Sequence, residues 1–118
     1  MISEHVVSLY NELWDRLKDR IKEEDPNGHR LSWNDGARRE VQLSEWSGEG
    51  NRTSRPVSYF TFNLDEQHVW VAQGGPVKFQ FDVVAPREGE AYLVLKGKRI
   101  SPDEGAICIL NDLLKRSD

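Results

Sequence analysis

The chain has 118 residues, one cysteine, a net charge of −4, 31% charged and 37% apolar residues. That length suits one domain with a real core, and no apolar run approaches the roughly 20 residues of a membrane span. The lone Cys108 excludes an internal disulfide and suits a reducing, cytoplasmic setting. The N-terminus lacks a basic stretch followed by an apolar one, so no secretory signal is expected. Residues 1–25 hold four Lys/Arg against seven Asp/Glu, residues 26–101 ten against nine, and residues 102–118 two against four. Acidity therefore sits at the two ends, and the missing basic stripe argues against a general nucleic-acid binder.

Ser3 is placed to cap a first helix over about residues 3–24, with Glu4 in its first turn. Val6, Tyr10, Leu13, Leu17 and Ile21 recur at helical spacing, with Trp14 beside them. Glu12, Asp15, Asp19 and Glu23 fall on nearly the opposite side, flanked by Arg16 and Lys22. Pro26 and Asn27-Gly28 end the helix and turn the chain.

Leu31-Ser32-Trp33 and Ala37–Ser44 read as strands joined by Asn34-Asp35-Gly36. Val41 and Leu43 share one face of the second strand; Gln42, Ser44 and Trp46 share the other. Ser47–Arg55, rich in small polar residues and without periodicity, reads as a flexible loop. Three strands follow, Val57–Leu64, His68–Gln73 and Val77–Val84, separated by Asp65-Glu66-Gln67 and Gly74-Gly75-Pro76. In the last of them Val77, Phe79, Phe81 and Val83 alternate strictly with Lys78, Gln80 and Asp82, so one face is buried and one is wet.

Glu90–Lys96 reads as a final strand, with a bulge or bend at Gly97. Ser101-Pro102-Asp103-Glu104 combines an N-cap, a proline at the first helical position and a capping box. It opens a second helix over about residues 102–116. The expected fold is a single α+β domain: a two-layer sandwich with about six antiparallel strands and both helices on one sheet face.

If Phe60, Phe62, Val69, Val71, Phe79, Phe81, Leu93 and Leu95 face the helices, alternation sends another set outward. That set is Trp46, Tyr59, Thr61, His68, Trp70, Lys78, Gln80, Asp82, Tyr92 and Lys96. An uncovered face bearing four aromatics among polar groups has the composition of a recognition surface. The same aromatics also raise strand propensity and pack across strands. The expected binding residues are Trp46, Tyr59, His68, Trp70, Lys78, Tyr92 and Lys96, serving a non-enzymatic module with a protein partner.

No cofactor motif, catalytic triad or metal-spaced histidine pair is present in the sequence. Gly74-Gly75-Pro76 precedes a strand rather than a helix, so it is not a phosphate loop. Asp82 and Lys96 suggest a nuclease-type set, which fails at Val94, where an acid is required. A small-ligand or enzyme site near the Ser47–Arg55 loop stands as a further alternative.

Val69-Trp70-Val71, then Gly75-Pro76 and Lys78-Phe79, within a helix–meander–helix order, is similar to the frataxin arrangement. The resemblance implies an acidic iron-handling protein, with Glu12, Asp15, Asp19 and Glu23 as the iron-binding ridge and Trp70 on the partner-binding face. The chain departs from that family at Leu64-Asp65-Glu66-Gln67, where the family has a polar Asn-Lys-Gln segment. It also lacks the Ser-Pro-x-Ser turn and interleaves Arg16, Lys18, Arg20 and Lys22 with the acidic strip.

Overall fold

The computed structural model describes residues 3–36, 38–47, 53–87 and 90–115, with the side chains of 45–47 and 53–55 outside the description. The first helix, α1 (Glu4–Glu24), begins where the Ser3 hydroxyl accepts the Val6 N–H, and its apolar stripe is buried from Val6 to Ile21. The second, α2 (Pro102–Leu113), begins with a complete capping box: Ser101 Oγ accepts the Glu104 N–H at 3.1 Å, and Glu104 accepts the Ser101 N–H at 3.0 Å. Both caps satisfy N–H groups that have no partner within the helix.

Among the described residues, seven strands lie between the helices: β1 (Leu31–Asn34), β2 (Arg39–Ser47), β3 (Thr53–Leu64), β4 (His68–Ala72), β5 (Val77–Arg87), β6 (Glu90–Leu95) and β7 (Lys98–Ile100). They form one antiparallel sheet in sequence order, each strand pairing with the next. The helices pack against each other and the sheet. Leu13, Trp14, Leu17, Ile109 and Leu113 share one core with Val41, Phe60, Phe62, Val69, Val71, Phe81 and Leu93. This is the two-layer α+β sandwich, with no helix on the opposite sheet face among the described residues.

The differences from the sequence reading are local. A seventh strand exists because Lys96 and Gly97 both take positive φ, 54° and 79°. That is the backbone a two-residue hairpin needs, so Gly97 closes a turn where a bend was expected. Lys96 therefore sits in the turn and not on β6. β2 and β3 run further toward each other than expected, to Ser47 and from Thr53. The remaining loop residues, 48–52, lie outside the described residues, as does Ala37. The long β2–β3 ribbon outreaches its neighbours, since β1 pairs with β2 only at residues 40–43 and β4 pairs with β3 only at 61–64. The molecule is accordingly elongated, 56 × 29 × 24 Å.

Two polar ties reinforce the packing, one between helix and sheet and one between the helices. Trp14 Nε1 donates to Asp35 in the β1–β2 connection, and Lys18 Nζ reaches the other oxygen of that carboxylate at 3.3 Å. Arg20 forks onto Asp103 at 3.1 and 2.5 Å, joining the two helices and holding that carboxyl below its usual range.

Candidate functional site

Cross-strand register decides which outward residues meet. Asn63, Trp70 and Gln80 form one row across β3, β4 and β5. Thr61, Ala72 and Val77 form the row beside it, where a bulge at Val71/Ala72 ends the regular pairing. His68, Asp82, Val94 and Arg99 form the row on the other side.

Asp65, in the β3–β4 connection, organises the centre of this face. Its Oδ1 accepts the backbone N–H groups of Gln67 and His68, both at 2.8 Å, and lies 2.9 Å from His68 Nδ1. Its Oδ2 accepts the Trp70 indole N–H at 2.7 Å. The Gln67 N–H foremost, then the indole and imidazole, hold the carboxyl down at about 2, against a smaller opposing effect of desolvation. The His68 ring lies 5.1 Å from Trp70. Its Nε2 is 3.4 Å from Asp82 Oδ1, which also accepts from Gln80 at 3.2 Å. Trp70 is thus partly buried and held in one orientation by its own turn.

Beside Trp70 lies an open concavity of about 740 Å³. Thr61, Asn63, Trp70, Ala72 and Val77 line it from the sheet; Arg38, Arg39 and Tyr10 close it where β2 starts late against β3. Tyr59 and Val77 are 41% and 53% exposed, which continues the apolar surface beyond the concavity. Gln73 Nε2 donates to Ser58 Oγ at 2.7 Å, tying the β4–β5 turn to β3 next to Tyr59.

Of the expected binding residues, the structure brings Trp70 and His68 into contact and sets Tyr59 at the edge of the same face. Tyr59 lies four residues before Asn63 on β3, whereas Tyr92 pairs with Val84, four residues beyond Gln80 on β5. As β3 and β5 run the same way, the two tyrosines lie on opposite sides of the Trp70 row, each ~13 Å along the strands. Tyr92 is instead stacked by Arg99, whose guanidinium carbon is 4.2 Å from the ring centroid. Lys78 was expected on the open face beside Trp70. The bulge at Val71/Ala72 leaves Lys78 as the extra residue between Val77 and Phe79, and its ammonium comes within 3.7 Å of Asp112 on α2. Trp46 has its backbone opposite Ser54, and its side chain lies outside the described residues.

Sequence reading missed Asp65, Arg38, Arg39, Ala72 and Val77. One signal was present: Arg39 shares its parity with Val41 and Leu43, so an arginine begins the core face of β2.

On α1, Glu12, Asp15, Asp19 and Glu23 are all exposed; Lys18 lies 3.6 Å from Asp15 and Arg20 lies 3.7 Å from Glu23. Among the described residues no three His, Cys, Asp or Glu side chains converge on one point. His68 separates Asp65 from Asp82 by using opposite ring nitrogens. Among the described residues no helix is long and apolar enough to cross a membrane. Compared with protein-family models, curated proteins and solved structures, the chain matches none.

Proposed function

We propose that this protein is a non-enzymatic binding module that docks a protein partner on the uncovered sheet face, with Trp70 as the central anchor. The observation that carries the reading is the combination at Trp70. A large aromatic side chain on the helix-free face is pre-oriented by Asp65 and His68 beside an open concavity. Interface hot spots favour tryptophan, and an anchor already held in place loses little conformational freedom on binding. Tyr59 and Val77 extend the contact, while Tyr92 falls outside it. A reducing, cytoplasmic site of action goes with the reading.

The test is affinity capture from native lysate with the wild-type chain, Trp70→Ala and Tyr92→Ala. Trp70→Ala should weaken retention of the captured partner by about 30-fold or more, the scale of a hot spot, and Tyr92→Ala should leave it unchanged. Equal retention by Trp70→Ala and wild type would contradict the proposal.

A further inference from the structure

The concavity beside Trp70 has a charge opposite to that of the molecule. The chain carries 20 Asp/Glu against 16 Lys/Arg, yet two arginines and no carboxylate line the concavity. Arg39 is held by aromatic stacking: its guanidinium carbon lies 4.8 Å from the Tyr10 ring and 5.7 Å from that of Trp14. Its Nη1 is buried and has no hydrogen-bond partner among the described residues. Arg38 is exposed. Among the described residues, neither arginine has a carboxylate within salt-bridge distance.

The two nearby turn carboxylates are already engaged. Asp35 accepts from Trp14 and Lys18, and Asp65 accepts from Gln67, His68 and Trp70. Glu40 pairs with Thr61 in the neighbouring row and is not among the lining residues. The opposite wall is apolar, formed by Ala72 and the exposed Val77.

We propose that this groove selects an extended acidic–apolar peptide segment of the partner, a carboxylate meeting the exposed Arg38, with Arg39 behind it adding positive charge, and a neighbouring apolar side chain resting on Ala72 and Val77. The inference rests on the docking reading above and names the chemistry of what docks. Guanidinium groups match carboxylates in planar, two-pronged geometry. The openness of the concavity suits a chain passing across it better than an enclosed small molecule.

The probes are two acetylated hexapeptides, one alternating glutamate with leucine and one alternating lysine with leucine, titrated into the 15N-labelled full chain. The glutamate peptide should shift the Trp70 indole N–H and the backbone signals around Arg38 and Thr61. The lysine peptide should bind at least about tenfold more weakly, and Arg38→Glu should weaken the glutamate peptide by about the same factor. Arg38 is exposed, so its replacement leaves the core intact, and unchanged signals from Phe60 and Leu93 verify this.

Equal binding of the two peptides, an unaffected Arg38→Glu variant, or shifts confined to Tyr92 and Arg99 would overturn the inference. So would N-acetylglutamate binding as tightly as the hexapeptide, which would make the groove a small-anion site. If both peptides fail while partner capture still depends on Trp70, the acidic-peptide inference falls and the docking reading stands. If capture is independent of Trp70 as well, both fall.

Discussion

Gly105 lies in the first turn of α2 and faces the sheet, where it is buried. A Cβ added there would stand 3.0 Å from Leu13 Cδ1, 3.3 Å from Phe81 Cε1 and 3.4 Å from Ile100 Cδ1. Replacing glycine by alanine within a helix gains about 1 kcal/mol of helix propensity, whereas overpacking a filled core costs about 1–3 kcal/mol. Leu13 and Phe81 are fully buried and have little space to yield. Gly105→Ala should therefore destabilise by about 1 kcal/mol. Leu13→Ala alone should cost about 2–5 kcal/mol through the cavity it leaves. In that background the tightest contact is gone, so Gly105→Ala should become neutral or stabilising. Urea denaturation of the four chains, with slopes checked for two-state behaviour, measures the coupling. Additivity within about 0.5 kcal/mol, or stabilisation by Gly105→Ala in the wild-type background, would refute the described meeting of α2, α1 and β5.

Phe81→Ala should cost about 3–5 kcal/mol, because the ring is fully buried; Trp70→Ala should cost less than about 2 kcal/mol, because the indole lies on the outer face. Equal losses by chemical denaturation would place Trp70 in the core. The Asp65 carboxyl should titrate at about pH 2 when followed by carbon NMR. Its folded pKa lies below the unfolded value, so its contribution to stability is present above the unfolded value and disappears as pH falls through about 2. Trp70→Phe removes the indole donor and should move that midpoint upward. Ser101→Ala should cost about 1 kcal/mol by losing the helix cap, and an unchanged urea midpoint would deny the capping box a role. Manganese or iron(II) should bind the α1 carboxylates weakly and salt-sensitively, since exposed acids ~5–6 Å apart on one helix do not enclose an ion. Stoichiometric micromolar binding lost in Asp15→Asn, Asp19→Asn would favour the iron-handling reading.

The layers were legible in the sequence because they depend on periodicity. The α1 stripe and the Phe79–Val83 alternation identify the buried faces without knowledge of any partner strand. Val77, expected on the buried face, is instead 53% exposed opposite Ala72, because the bulge at Val71/Ala72 breaks the alternation there. β7 was not legible: three residues show no period, and the hairpin before it needs positive φ at Lys96, a residue type that rarely adopts it. The Lys78 displacement follows from the bulge that skips it between Val77 and Phe79, a matter of register that composition does not encode. Trp70 could be placed on the outer face by alternation with Val69 and Val71. Its anchoring by Asp65 required the turn itself, in which one carboxylate gathers two backbone N–H groups, an imidazole and an indole. The spread of Tyr59 and Tyr92 to opposite sides of Trp70 likewise follows from strand register, which the hydrophobic pattern leaves open by steps of two.

On the proposed reading, a partner occupies the sheet face around Trp70 and leaves the helix layer free. A photo-crosslinking phenylalanine analogue placed at Tyr59, and in a second chain at Glu12 on α1, tests it in living cells. Position 59 should give a discrete crosslinked species that disappears when Trp70→Ala is added, and position 12 should give none. Crosslinking from position 12 alone, or a product at position 59 that persists without Trp70, would contradict it.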